Sequence, residues 1–184
     1  VDSIENTCFD KNCLSKFSKE ENIIFPVELD STSKIYSWLK NNHHKEWVIW
    51  KNKLISSTVE RIVTTVKADH PEIIINFHAV PWMKDDFDGG INSIIGQDFK
   101  TISNHVDYIS PMTYSHMLKR EPNWIHSGVD DINKYIDDTK ILPSIQVEKA
   151  YLSDSISPKE FEDCLKAAIK KPSAGVIFWN WDML

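Results

Sequence analysis

At 184 residues, with 41% hydrophobic and 26% charged residues, the chain has the composition of a folded globular domain and not of a disordered one. Its formal net charge of −6 argues against a nucleic-acid partner, which would call for a basic face. No apolar run approaches the ~20 residues a helix needs to cross a bilayer, so a membrane span is not expected.

One domain is the simplest organisation at this length. The chain begins at Val1 without a visible signal peptide, which fits a mature product or a piece of something longer. Residues 1–30 read as an elaborated loop with one short helix. Within it Cys8 and Cys13 are close enough to pair or to help hold a metal. C-x4-C without a second pair is a weak zinc signal, so structural cysteines, bridged or free, are favoured over metal.

Asp30 to Thr32 can cap a helix beginning near Ser33. A longer helix is expected from about Lys45 to Asp69, because Trp47, Trp50, Leu54, Ile55, Val59, Ile62, Val63 and Val66 recur at three- and four-residue steps. His70-Pro71 ends it. Ile73 to Phe77 then reads as an apolar strand, followed by an acidic loop with Asp85, Asp86 and Asp88 and a short helix over Ile95–His105. Val106 to Met112 is the next strand, and Ser127 to Asp138 the next helix. Ile141 to Val147 is a third strand. Ser157-Pro158-Lys159-Glu160 is a capping box with proline at the first helical position; it opens a helix that carries Cys164 as a core residue. Ala174 to Trp179 is the last strand.

Strand starts at Ile73, Asp107, Ile141 and Gly175 lie 34 residues apart each time, and a helical pattern fills each gap. Alternation of this kind implies right-handed crossovers and a parallel sheet. The chain lacks the Gly-rich turn of a nucleotide-binding sheet, and the spacing is close to the unit of a (β/α)8 barrel. The expected fold class is therefore α/β, with parallel (β/α) units forming half of a TIM-type barrel as a single domain or fragment over 1–184.

Functional groups in such folds collect at the C-terminal ends of the strands. Those ends present His78 and Trp82, Tyr114 and His116, Gln146 and Glu148, then Trp179, Trp181 and Asp182. Hydrogen-bonding groups mixed with aromatics suit a sugar, whose hydroxyls need polar partners and whose C–H faces stack on rings. Glu148 has the best claim to chemistry, because a carboxylate just beyond an apolar strand is awkward unless used or paired. Tyr114 and His116, each taken alone, are better explained by satisfying neighbouring backbone groups, Trp179 can equally fill the core, and Asp182 can be a solvated chain end. Glycosidases commonly use two carboxyl groups, and a second one is not obvious here.

The segment Asp107-Tyr108-Ile109-Ser110-Pro111-Met112-Thr113-Tyr114 resembles the sixth strand of glycoside hydrolase barrels. Gly175-Val176-Ile177-Phe178-Trp179-Asn180-Trp181 is similar to their eighth strand, where a tryptophan floors the sugar site. Cys8-Phe9 with Cys13-Leu14 and Phe17 resembles a cysteine-containing loop after strand four in uncharacterised family-42-like barrels, and the Met-Thr-Tyr and Trp features are similar to glycoside hydrolase family 18. The resemblance implies strands five to eight of a barrel, with an acid/base residue upstream of Val1; the acidic motif of family 18 does not occur in the chain. Taken with the groups at the strand ends, it leads to the expectation of catalytic roles for Glu148 (nucleophile or base), Asp182, Tyr114 and His116, and of substrate binding by His78, Trp82, Gln146, Trp179 and Trp181. No cofactor is expected. The expected partner is carbohydrate, with a missing N-terminal half or a second copy completing the barrel, and analogy points to a secreted or periplasmic setting. The rival readings are a non-catalytic carbohydrate-binding half barrel and a metal-assisted hydrolase using His78, His116 and Glu148.

Overall fold

The computed structural model describes residues 9–150 and 153–180. The first helix, α1 (Lys11–Glu21), runs through the segment expected to be mostly loop. Its start is set by Asp10, whose carboxylate accepts from the backbone N–H groups of Asn12 (2.7 Å) and Cys13 (3.0 Å). Asn22 ends it in the left-handed region at φ 56°. Helix α2 (Thr32–Asn42) is capped by Ser31, and α3 (His44–Asp69) follows almost without a break.

Trp47 and Trp50 of α3 close an aromatic cluster against α1. Phe17 meets the edge of Trp47 at 4.9 Å between ring centroids and of Trp50 at 5.4 Å, and the Trp50 indole N–H donates to Glu20 at 2.7 Å. Both tryptophans are therefore packing residues. The expected apolar stripe of α3 is narrower than its spacing implied: Val63 is buried, whereas Ile62 is 57% exposed.

Five short strands follow: β1 (Asn76–Ala79), β2 (Tyr108–Pro111), β3 (Lys140–Ile141), β4 (Ser144–Gln146) and β5 (Ile177–Trp179). They pair in parallel, in one sheet ordered β1-β2-β3 and a second formed by β4 and β5. A bridge from Met112 to Ser144 connects the two. This corrects the barrel expectation. Among the described residues there is no barrel and no C-terminal half of one, only a three-stranded and a two-stranded sheet. Pro143 gives the physical reason for the split. It has no N–H to donate, so the segment expected to be one strand over Ile141–Val147 is interrupted between β3 and β4. The regular 34-residue spacing encodes parallel crossover units and does not by itself close a ring.

Side chains alternate across each strand. One side carries Phe77, Ala79, Ile109 and Ile141, which pack against α3, α4 (Phe99–Ile102) and α5 (Asn123–Asn133). Ile145 continues this side against Cys164, Ala167 and Ala168 of α6 (Pro158–Ala168). The other side carries Asn76, His78, Ser110, Ser144, Gln146 and Trp179, in the register His78 to Ser110 and Gln146 to Trp179.

Behind the sheets, Lys51 of α3 is buried and donates from Nζ to the carbonyls of Ser93 and Ile94, both at 2.8 Å. Those carbonyls belong to a five-residue π-helical turn, Ile91–Ile95. Gly96 ends that turn at φ +79°, a left-handed conformation that favours glycine, and a Cβ there would also press on the tip of the Ile55 side chain of α3 at 2.7 Å. No helix among the described residues is long and apolar enough to span a membrane.

Candidate functional site

The turn after β2 and the end of β5 bring Tyr114 and Trp179 together. Their rings stack at 5.0 Å between centroids with 28° between planes. Tyr114 is buried, and Trp179 is half-buried.

Gln146 sits between them in the pairing, as the register partner of Trp179 on β4. It is 2% exposed. Its Oε1 accepts from the Met117 backbone N–H at 2.8 Å, and its Nε2 donates to the Glu148 carbonyl at 3.1 Å. The amide expected to read sugar hydroxyls is therefore engaged in tying the loop after β2 to the loop after β4.

Glu148 is half-buried just past β4. The backbone N–H of Lys149, 2.9 Å from Oε1, is the main cause that holds its carboxyl below the usual range, with the Ser155 hydroxyl second and the Lys149 charge minor. Glu148 is thus ionised at neutral pH. It suits the role of acceptor, base or nucleophile, and not that of a proton donor.

His116 is turned toward α6. Its Nδ1 lies 2.8 Å from Glu160 Oε1 and its Nε2 3.0 Å from the Asp154 carbonyl. Both ring nitrogens face protein acceptors, which explains the residue by local satisfaction. Glu160 is also where the expected capping box is only half formed: Ser157 accepts from the Glu160 N–H at 3.2 Å, while the Glu160 carboxylate reaches His116.

Trp82 belongs to a different neighbourhood. Its ring lies 4.5 Å from that of Phe87 and packs against the core between the sheet and the helices. The next-but-one residue, Lys84, is held through its backbone N–H to Asp131 of α5 at 2.7 Å. Trp181 and Asp182 lie outside the described residues, as does Cys8, so the expected Cys8–Cys13 link falls outside them too.

His78 is exposed on the side of β1 turned from the helices. Two residues that sequence reasoning passed over support it. Ser110, fully enclosed, donates from Oγ to Asn76 Oδ1 at 2.8 Å, and Asn76 Nδ2 lies 3.3 Å from His78 Nε2. A polar residue at every second position of an otherwise apolar strand was the signal that could have found them.

Among the described residues no three His, Cys, Asp or Glu side chains gather as a metal site. His78, His116 and Glu148 in particular stand in separate environments, which removes the geometric basis for the metal-assisted reading. No protein-family model matches the chain, and no curated protein matches it in sequence.

Proposed function

We propose that the chain binds an oligo- or polysaccharide at the half-buried Trp179 ring, backed by the buried Tyr114, and that it acts as a glycoside hydrolase with Glu148 as base or nucleophile. The observation that carries this reading is the stacked pair at the ends of β2 and β5, with an ionised carboxylate at the end of the intervening β4. An aromatic face takes the C–H side of a sugar, and a carboxylate kept charged can accept from a hydroxyl or assist departure at the anomeric carbon.

The position of a second carboxyl favours one alternative. Glu160 is committed to His116, and Asp182 lies outside the described residues. Among the described residues Glu148 is the strand-end carboxylate of this face without a committed cationic partner, which supports a non-catalytic sugar-binding face as the second reading.

One experiment separates the two. Wild-type protein, Trp179→Ala and Glu148→Gln are titrated calorimetrically with oligomers of glucose, N-acetylglucosamine, mannose and galactose, and the mixtures are assayed for new reducing ends. Hydrolysis predicts reducing ends from wild type that disappear in Glu148→Gln, with binding retained. Binding without reducing ends selects the second reading. Trp179→Ala weakens binding about tenfold in both cases, the scale of one aromatic contact. A wild-type chain that binds none of the four series ends the carbohydrate reading.

A further inference from the structure

We propose that Ser110 and Asn76 form a support chain that fixes the tautomer of His78 and presents its Nδ1–H as a directed donor to an acceptor oxygen of a bound ligand.

The argument begins with Ser110, which is 0% exposed and cannot turn to water. Its hydroxyl donates to Asn76 Oδ1 at 2.8 Å. In this geometry the Asn76 amide has its oxygen toward Ser110 and its nitrogen toward His78. An amide nitrogen can only donate. The atom it meets at 3.3 Å, His78 Nε2, must then be the unprotonated nitrogen of the neutral ring. The proton is left on Nδ1.

The register makes this arrangement a designed contact of the sheet. His78 and Ser110 are direct partners across β1 and β2, and Asn76 lies two residues before His78 on the same side. His78 is exposed, and the sheet side it occupies also carries Gln146 and Trp179. A ring held in one tautomer and one orientation loses little freedom when a ligand binds, which is what distinguishes a built donor from a surface histidine. His78 touches the ligand in this scheme; Asn76 and Ser110 are positioning residues. The ligand role rests on the carbohydrate reading above, whereas the tautomer does not.

The test needs no ligand for its first arm. Long-range 1H–15N spectra of histidine-labelled protein, taken at alkaline pH where the ring is neutral, assign the tautomer. Wild type is expected to show the Nδ1–H form, which free neutral histidine disfavours. Asn76→Ala is expected to return His78 to the Nε2–H form, and Ser110→Ala to give a mixture. A wild-type ring in the Nε2–H form overturns the proposal. In the second arm Asn76→Ala, with His78 intact, weakens binding of the tightest sugar oligomer about fivefold, the value of roughly one hydrogen bond; affinity within twofold of wild type overturns the donor role. Asn76→Asp, which removes the donor while keeping shape and an acceptor toward Ser110, separates a tautomer effect from a folding defect. A wild-type chain that binds no sugar removes the carbohydrate reading and the donor role with it, and the spectra still decide the lock.

Discussion

On the helix side of the strands, Ile109 and Ile141 are enclosed by other apolar side chains and ask nothing of their neighbours but shape. On the opposite side Ser110 is just as enclosed, yet its burial is tolerable only because its hydroxyl has a partner in Asn76. The same four-residue strand thus meets two different requirements at adjacent positions. Apolar burial is graded, and losing part of it costs in proportion to the volume removed. An unmatched hydroxyl forfeits its water without compensation, a cost that Ser144 on the same side bears, its buried hydroxyl having no hydrogen-bond partner among the described residues. The helix side therefore sets how stable the chain is, and the opposite side sets which groups are held in fixed directions.

The largest test of that contrast is Ile109→Ala, which empties the middle of the helix-side core. It should cost about 3–4 kcal/mol in urea unfolding. A loss below ~1 kcal/mol would mean that this side is loosely packed and that the contrast is misdrawn.

Next comes Lys51, a cation placed within the helix layer. Burial pushes its ammonium down to about 8 from an ordinary 10.5. A base with a lowered value in the folded state binds fewer protons there than when unfolded between those two pH values. Its stabilisation is fully present above about 10.5 and is lost as pH falls through about 8. Unfolding free energy should rise by roughly 3 kcal/mol across that window, relative to a Lys51→Met variant. Equal slopes for the two proteins would show that the ammonium is not desolvated.

Ser110→Ala is expected to cost about 1 kcal/mol, since Asn76 is only half-buried and can turn to water. No loss at all would mean that the hydroxyl contributes direction without stability. The smallest effect belongs to Asp107, whose carboxyl is held below its ordinary value first by the Ile75 N–H at 2.8 Å and then by Lys67 at 2.9 Å. That stabilisation is present above the usual carboxylate range and is lost as pH falls through the lowered value. The pair is more than one-third solvent-exposed on the Asp107 side, so Asp107→Asn should cost no more than ~1 kcal/mol and should flatten the acid limb of the stability curve.

Periodicity made the helix side legible. The apolar steps of α3 and the Ser157-Pro158 start of α6 announce themselves in the sequence, and the structure puts helices at His44–Asp69 and Pro158–Ala168. The strand residues that face those helices were likewise read as buried. The other side was harder for a physical reason: a hydroxyl inside an apolar run looks neutral until its partner is known, and Asn76 reaches Ser110 from 34 positions away. Closure failed for a related reason, because equal spacing describes each unit and is silent about whether the first and last strands meet. Pro143 was visible all along, but its effect depends on which neighbour needed the missing N–H. In the candidate site, Gln146 was read as a partner for sugar hydroxyls, yet it spends its hydrogen bonds on nearby loops, whereas the reading of His116 as a group satisfied by its neighbours matches its contacts to Glu160 and the Asp154 carbonyl. At Asp10 the lesson runs the other way: an acidic residue ahead of Lys11 was a helix start that the irregular letters around it concealed.

One amide side chain, that of Gln146, grips the backbone at Met117 with its oxygen and at Glu148 with its nitrogen. Two segments from different crossovers are thereby fastened to a single rivet, and neither can swing outward without loosening the other. Displacement of the backbone at Glu148 would thus be felt at Met117, 31 residues upstream, through the one side chain that holds both.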